Sequence, residues 1–225
     1  TRCSRDWSSD VCSSDLFHVE RTFQRPLVER WLRRMIGTVL PDPHRLRLAL
    51  TLGRLAKPFA ALLPARLKAA VALAPTPRAP VTPERTQVFP AEGTRRKRVA
   101  LLRGCIQQVV ADQLNAATIR LLNRHGVEVV TVGGADCCGA LNHHLAQDEG
   151  RQRAAGTVRA WAREHAREPF DAIVVNASGC GTMVKDYVHL FRNDPEIAGD
   201  AAAIAALARD ITEVLADLPL PAGKA

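Results

Sequence analysis

Two cysteines stand side by side in Ala135-Asp136-Cys137-Cys138-Gly139-Ala140-Leu141, and this pair constrains what the chain can build. Adjacent Cα atoms across a trans peptide lie about 3.8 Å apart. Unstrained disulfides begin at roughly 4.4 Å, so the two thiols are not expected to pair with each other. Neighbouring thiols followed by glycine suit a soft metal or thiol redox chemistry instead. Two more cysteines frame the pair. Cys105 precedes Cys137 with 31 residues between them, and Cys180 follows in Asn176-Ala177-Ser178-Gly179-Cys180-Gly181.

Each cysteine-bearing stretch follows a short apolar run: Val99-Ala100-Leu101-Leu102, then Val127-Glu128-Val129-Val130-Thr131-Val132, then Asp171-Ala172-Ile173-Val174-Val175. Between these runs the pattern is helical. Residues 114–125 offer Ile119, Leu121 and Leu122 to a core and end at Gly126; residues 141–165 read as one long helix. Two or three helices close the chain, one of them over residues 210–215. Strand–helix alternation predicts an α/β fold, a small parallel sheet with flanking helices and right-handed crossovers. Sites in such sheets form beyond the carboxyl ends of the strands. Cys105, Cys137, Cys138 and Cys180 all fall there, flanked by Gly104, Gly133, Gly134, Gly139, Gly179 and Gly181.

Four thiolates suit zinc or an iron–sulfur cluster. Structural zinc usually presents two Cys-x₂-Cys knuckles, and this sequence has none. Adjacent cysteines also fit awkwardly around one tetrahedral ion, whereas a polynuclear cluster offers several irons. The reading favours iron–sulfur, with free redox-active thiols, zinc or no metal as alternatives. Asp136 beside the thiols disfavours thiolates. His143 and His144 are candidate ligands or proton carriers, and equally ordinary helix-surface histidines. Lys185 and Asp186 read as solvated. No nucleophile triad, Walker loop or GxGxxG fingerprint is present, so no catalytic residue is expected.

Upstream the character changes. Residues 17–104 carry 18 Lys and Arg against 5 Asp and Glu, while residues 105–225 carry 11 against 15, so the net +8 belongs to the first half. Residues 17–74 read as a basic helical arm. Trp31, Leu32, Met35, Ile36 and Val39 form an amphipathic stripe. Asp42-Pro43 starts a helix expected to run through Leu46, Leu50, Leu52 and Leu55 towards Leu63, with Pro64 as its stop. The positive face is either a docking surface for an acidic partner or anionic membrane, or a solvated face. Nucleic acid is not an expected partner, because aromatics are only 4% and no binding motif accompanies the charge. Residues 75–97 are a proline-rich linker, residues 98–218 the α/β domain, and residues 219–225 a tail.

Residues 1–16 repeat Ser-Ser-Asp without helical or strand period and resemble a translated sequencing adapter, which would make Cys3 and Cys12 irrelevant. No run of about 18 apolar residues occurs, so no transmembrane helix is expected. With no secretory signal recognisable, a cytoplasmic, reducing setting is expected.

Gly104-Cys105-Ile106-Gln107, Cys137-Cys138-Gly139-Ala140-Leu141 with His144, and Asn176-Ala177-Ser178-Gly179-Cys180-Gly181 with Val184-Lys185-Asp186-Tyr187 resemble the cysteine-rich CCG domain. The likeness is strongest to the iron–sulfur subunits of bacterial glycolate oxidases and extends over roughly residues 17–218. The resemblance implies a [4Fe–4S]-type cluster on Cys105, Cys137, Cys138 and Cys180. It implies a non-catalytic electron-transfer subunit that receives electrons from an FAD-bearing partner and passes them to a membrane quinone or another acceptor. It also implies a location in the cytoplasm, including the inner face of the membrane. Related subunits of lactate or glycerol-3-phosphate dehydrogenases, and a cluster-free structural module, are the alternatives. Family members carry a ferredoxin-like part before the helical region and a second CCG repeat after the first, so truncation at both ends is expected. Fuller motifs, as in heterodisulfide reductases, end in Cys-x-x-Cys, and Ala177 stands where the first of those cysteines would be.

Overall fold

A computed structural model describes residues 9–62, 64, 68, 69, 71, 72, 74, 75 and 85–218. Cys3, residues 76–84 of the proline-rich stretch and the tail at 219–225 lie outside the described residues. Five strands form one sheet in the order β1-β3-β2-β4-β5. They are β1 (Gln87–Phe89), β2 (Lys97–Leu101), β3 (Val127–Thr131), β4 (Ala172–Val175) and β5 (Ala208–Asp210). The central trio is parallel, with Val99 opposite Val129 on one side and Ala172 on the other. β5 continues parallel to β4, and β1 runs antiparallel along β3 with Val88 opposite Val130.

Successive side chains on a strand point to opposite faces, and two cores result. On one face Ala100, Leu102, Val130, Ile173 and Val175 pack with Trp161, Tyr187, Phe191 and Ile204. On the other, Val99, Leu101, Val129 and Val174 pack with Leu122, Val214 and Leu218. The helices supplying these layers are α5 (Asp112–Arg124), α7 (Glu149–Arg167), α8 (Ser178–Lys185), α9 (Tyr187–Leu190), α10 (Ala198–Leu207) and α11 (Ile211–Ala216). Two short helices, α4 (Gln107–Val110) and α6 (Ala140–His144), open directly from the cysteine-bearing turns.

Several elements depart from the sequence reading. The helix expected over 141–165 is two helices, α6 and α7, broken where Ala146 takes φ +53°. β1 lies within the stretch read as linker, and β5 within the stretch read as closing helices. Leu121, expected to face the core, is exposed, and the neighbouring Leu122 takes the buried position. Arg98, read as the end of a basic run, is 4% exposed. Its guanidinium bonds Glu128 and Glu164 at 3.0 Å each and lies 4.8 Å from the Phe170 ring centre.

The arm comprises α1 (Ser9–Thr22), α2 (Leu27–Val39), α3 (Pro43–Ala56) and a 3₁₀ turn (Lys57–Leu62). The backbone of the aperiodic segment joins α1 from Ser9 onward; helical hydrogen bonds are made by the main chain and need no apolar period. Asp42 caps α3 as expected, its carboxylate accepting from the amides of His44 and Arg45. That helix ends at Ala56 rather than near Leu63.

Arm and sheet domain are bonded together. The Asn142 amide donates to the Gly37 carbonyl, Arg33 Nη2 to the Leu145 carbonyl, and Gln147 Nε2 to the Arg33 carbonyl. Leu46 and Leu50 of α3 pack on Val109 of α4. The amphipathic stripe of α2 points largely to solvent: Trp31 is 63% exposed, and Leu27, Val28, Leu32 and Met35 are exposed with it. Leu52 and Leu55, expected along α3, are exposed as well.

Candidate functional site

The sheet places the cysteines as its topology dictates. Cys105 follows β2, Cys137 and Cys138 follow β3, and Cys180 follows β4; these three strands are neighbours. Cys180 sits in the first turn of α8 rather than in a loop. Cys105 and Cys138 are buried, while Cys137 and Cys180 are partly exposed, and all four are free thiols.

They meet in two pairs. The Cys105 thiol hydrogen-bonds the Cys137 sulfur, and the Cys138 thiol that of Cys180. Donating this bond, with burial added, pushes Cys105 and Cys138 far above the ordinary thiol range. The acceptors move the other way. Cys137 falls to about 7, chiefly through the Cys105 bond, helped by the Gly139 amide and the Arg153 charge against the cost of burial. Cys180 is lowered by its bond from Cys138. Backbone amides of Ile106, Gly139 and Ala140 favour the thiolate forms of Cys105, Cys137 and Cys138 respectively.

A polar frame that residue spacing did not reveal holds the turns. Gln107 Nε2 donates to Asn115 Oδ1 and Asn176 Oδ1, both at 2.8 Å, and Asn115 Nδ2 donates to the Arg103 carbonyl, tying the turn after β2 to the turn after β4. Thr157 Oγ1 donates to the Cys137 carbonyl at 2.8 Å, and the buried Tyr187 hydroxyl to the Cys138 carbonyl at 2.9 Å. Arg103 neutralises Asp136 through Nε and Nη2, which offsets the repulsion expected from that carboxylate. Gly139 has φ +84°, and a Cβ there would lie 2.3 Å from the Gly150 carbonyl oxygen, so only glycine fits.

The other candidates lie apart from the thiols' work. His143 packs against Phe17 of the arm in a tilted arrangement with ring centres 5.7 Å apart, and burial lowers its pKa. His144 is exposed. Lys185 pairs with Glu213 at 3.3 Å rather than with solvent alone. Among the described residues no three His, Cys, Asp or Glu side chains gather where one metal ion could sit. Two thiol pairs with amide donors are chemically suited to soft metal centres.

Residues 99–185 match the family model described as "CCG: Cysteine-rich domain". That stretch of the chain is thus a cysteine-rich CCG domain. The chain is 37% identical over 205 residues to the "Glycolate oxidase iron-sulfur subunit" of Escherichia coli (strain K12), covering 90% of this chain and 47% of that protein. It is 32% identical over 159 residues to the "Probable glycolate oxidase iron-sulfur subunit" of Bacillus subtilis (strain 168), covering 70% and 35%. "Lactate utilization protein A" of Geobacillus kaustophilus (strain HTA426) matches at 29% over 123 residues, 54% of this chain and 48% of that one. The chain thus spans about half the length or less of these relatives. No solved structure gives a significant match.

Proposed function

We propose that this CCG chain is part of the electron-transfer iron–sulfur subunit of a flavin-dependent complex oxidising a 2-hydroxyacid, glycolate first among candidates. The observation that carries the reading is the placement of Cys105, Cys137, Cys138 and Cys180 at the carboxyl ends of three adjacent parallel strands, with amide donors behind the sulfurs. Those four thiolates would hold a [4Fe–4S]-type cluster, which when bound supplies one-electron transfer. The chain's own part is to fix the sulfurs: Tyr187 and Thr157 pin the Cys138 and Cys137 carbonyls, and the Gln107, Asn115 and Asn176 amides lock the flanking turns. Oxidation of the hydroxyacid belongs to an FAD-bearing partner subunit. The basic arm, with its exposed apolar stripe, is the docking face for that partner. We place the assembly in the cytoplasm, against the inner face of the membrane where a quinone accepts the electrons. Among the described residues no helix is long and apolar enough to cross a membrane.

The names of the two glycolate oxidase relatives support the glycolate reading over the lactate one, since they match more of this chain. The test is iron and acid-labile sulfide per chain after anaerobic reconstitution. Wild type should retain both, and Cys138→Ser should lose them. Equal, negligible iron in the two would overturn the cluster reading. Separately, binding to the purified flavin subunits should weaken steeply with added salt, and salt-insensitive binding would remove the arm from the docking role.

A further inference from the structure

A cavity of about 260 Å³ lies beside Cys137, between the α2–α3 corner and the carboxyl edge of the sheet. Pro41 and Pro43 of the corner form one wall, and Gln108, Asp136, Cys137 and Arg153 contribute to the other. Two of these side chains carry N–H donors shielded from solvent with no acceptor, Gln108 Nε2 and Arg153 Nε. Gln108 as a whole is only 3% exposed. A third unspent donor, Arg103 Nη1, belongs to the guanidinium that grips Asp136. Among the fully shielded side-chain atoms of this lining, the unpartnered ones are both donors. A buried donor left unmade is costly, and more so when charged. A ligand oxygen placed between Gln108 Nε2 and Arg153 Nε would satisfy both.

Its charge is equally one-sided. Arg103 and Asp136 cancel at 2.6 Å. Arg153 has no carboxylate partner among the described residues, and its Nη1 donates only to the Pro41 carbonyl, at 3.4 Å. A guanidinium with no carboxylate partner matches a monoanion. A guanidinium N–H together with an amide N–H suits the two oxygens of a planar carboxylate better than a doubly charged tetrahedral anion.

We infer that this cavity binds a small monocarboxylate. Its oxygens accept from Gln108 Nε2 and Arg153 Nε, and its short carbon end lies against Pro41 and Pro43. The ligand sits beside the Cys137 thiol without bonding to it, so occupancy shields that sulfur. Because the site spans arm and sheet domain, a bound acid also bridges them. The inference does not depend on the cluster assignment, and its experiment measures no electron transfer.

The test is calorimetric titration of the full chain with sodium acetate, sodium glycolate and sodium sulfate at matched ionic strength. Both carboxylates should give saturable one-to-one isotherms, with sulfate at least about tenfold weaker. Gln108→Leu and Arg153→Met should each weaken carboxylate binding by about tenfold, roughly 1.4 kcal/mol. Without ligand, Gln108→Leu should keep its melting temperature, since the lost donor had no partner. A second measurement on the unmutated chain removes dependence on variant folding: acetate should slow alkylation of Cys137, and chloride should not. Absence of carboxylate heat, equal binding of sulfate, unchanged affinity in both variants, or a lowered melting temperature for unliganded Gln108→Leu would overturn the inference. Unslowed alkylation of Cys137 in acetate would do the same.

Discussion

Replacing Gly139 with alanine tests why the cysteine pair is followed by glycine. Two costs arise at once. The backbone sits at φ +84°, a left-handed conformation that costs an L side chain about 1–2 kcal/mol. The new Cβ would also lie 2.3 Å from the Gly150 carbonyl oxygen and 3.3 Å from the Ala154 amide nitrogen, both backbone atoms of α7. No flexible side-chain tip can swing away, so helix or turn must shift, at the roughly 1–3 kcal/mol typical of overpacking. Gly139→Ala should therefore lose about 2–5 kcal/mol in urea unfolding monitored by circular dichroism. Reaction of the buried Cys138 with a thiol reagent should accelerate as α6 and α7 separate. Gly199→Ala is the control: nothing lies within 4 Å of its new Cβ, and α10 should gain slightly or stay within about 0.5 kcal/mol. A loss below about 1 kcal/mol for Gly139→Ala would refute the reasoning, because the backbone would then yield too easily to require glycine.

Three further outcomes can be checked in the same way. Arg98→Ala leaves the largely buried Glu164 only the exposed Arg167 as partner and should cost about 3–5 kcal/mol, whereas Arg95→Ala, at the exposed end of the same carboxylate cluster, should cost far less; denaturant midpoints distinguish the two. Asp210→Ala removes the capping box of α11 and should cost about 1 kcal/mol at neutral pH. Because the Thr212 hydroxyl and amide hold the Asp210 carboxyl below its usual range, and the Asp210 amide does so for Glu213, this stabilisation is present above about pH 4 and is lost as pH falls through the lowered pKa values; the acid limb of a pH–stability curve should therefore flatten in Asp210→Ala. Deleting residues 1–16 should change unfolding free energy by less than about 0.5 kcal/mol if that stretch is not native sequence, and a larger loss in calorimetry would show that the first turns of α1 belong to the fold.

The three central strands and the placement of Cys105, Cys137, Cys138 and Cys180 beyond their carboxyl ends were legible because apolar runs followed by glycine are local signals. β1 and β5 were not. Gln87-Val88-Phe89 is too short to show alternation, and Ala208-Arg209-Asp210 continues an alanine-rich stretch that favours helix. Their pairing depends on strands distant in sequence. The break at Ala146 had no local signal either, since neither glycine nor proline marks it. In the site, the thiols could be found by spacing alone. Tyr187, Thr157, Arg103 and Gln108 could not, because each acts through a contact that exists only once the sheet has formed. The apolar stripe on α2 was read correctly as a pattern, yet a pattern does not say whether its partner lies within the chain.

The bonds that join arm to sheet domain also set an order of events during synthesis. Arg33 and Gly37 are anchored by residues 105 to 114 positions further along the chain. At about 5–20 residues per second, the arm waits on the order of 5–20 s for Asn142, Leu145 and Gln147 to leave the ribosome. In the earlier part of that interval, until Val109 emerges, Leu46 and Leu50 have nothing of α4 to cover them, and the exposed row from Leu27 to Met35 stays uncovered even afterwards. A nascent chain carrying such a segment is a natural client for ribosome-associated chaperones, and its yield should depend on their supply more than that of a chain whose corresponding helices pack on each other.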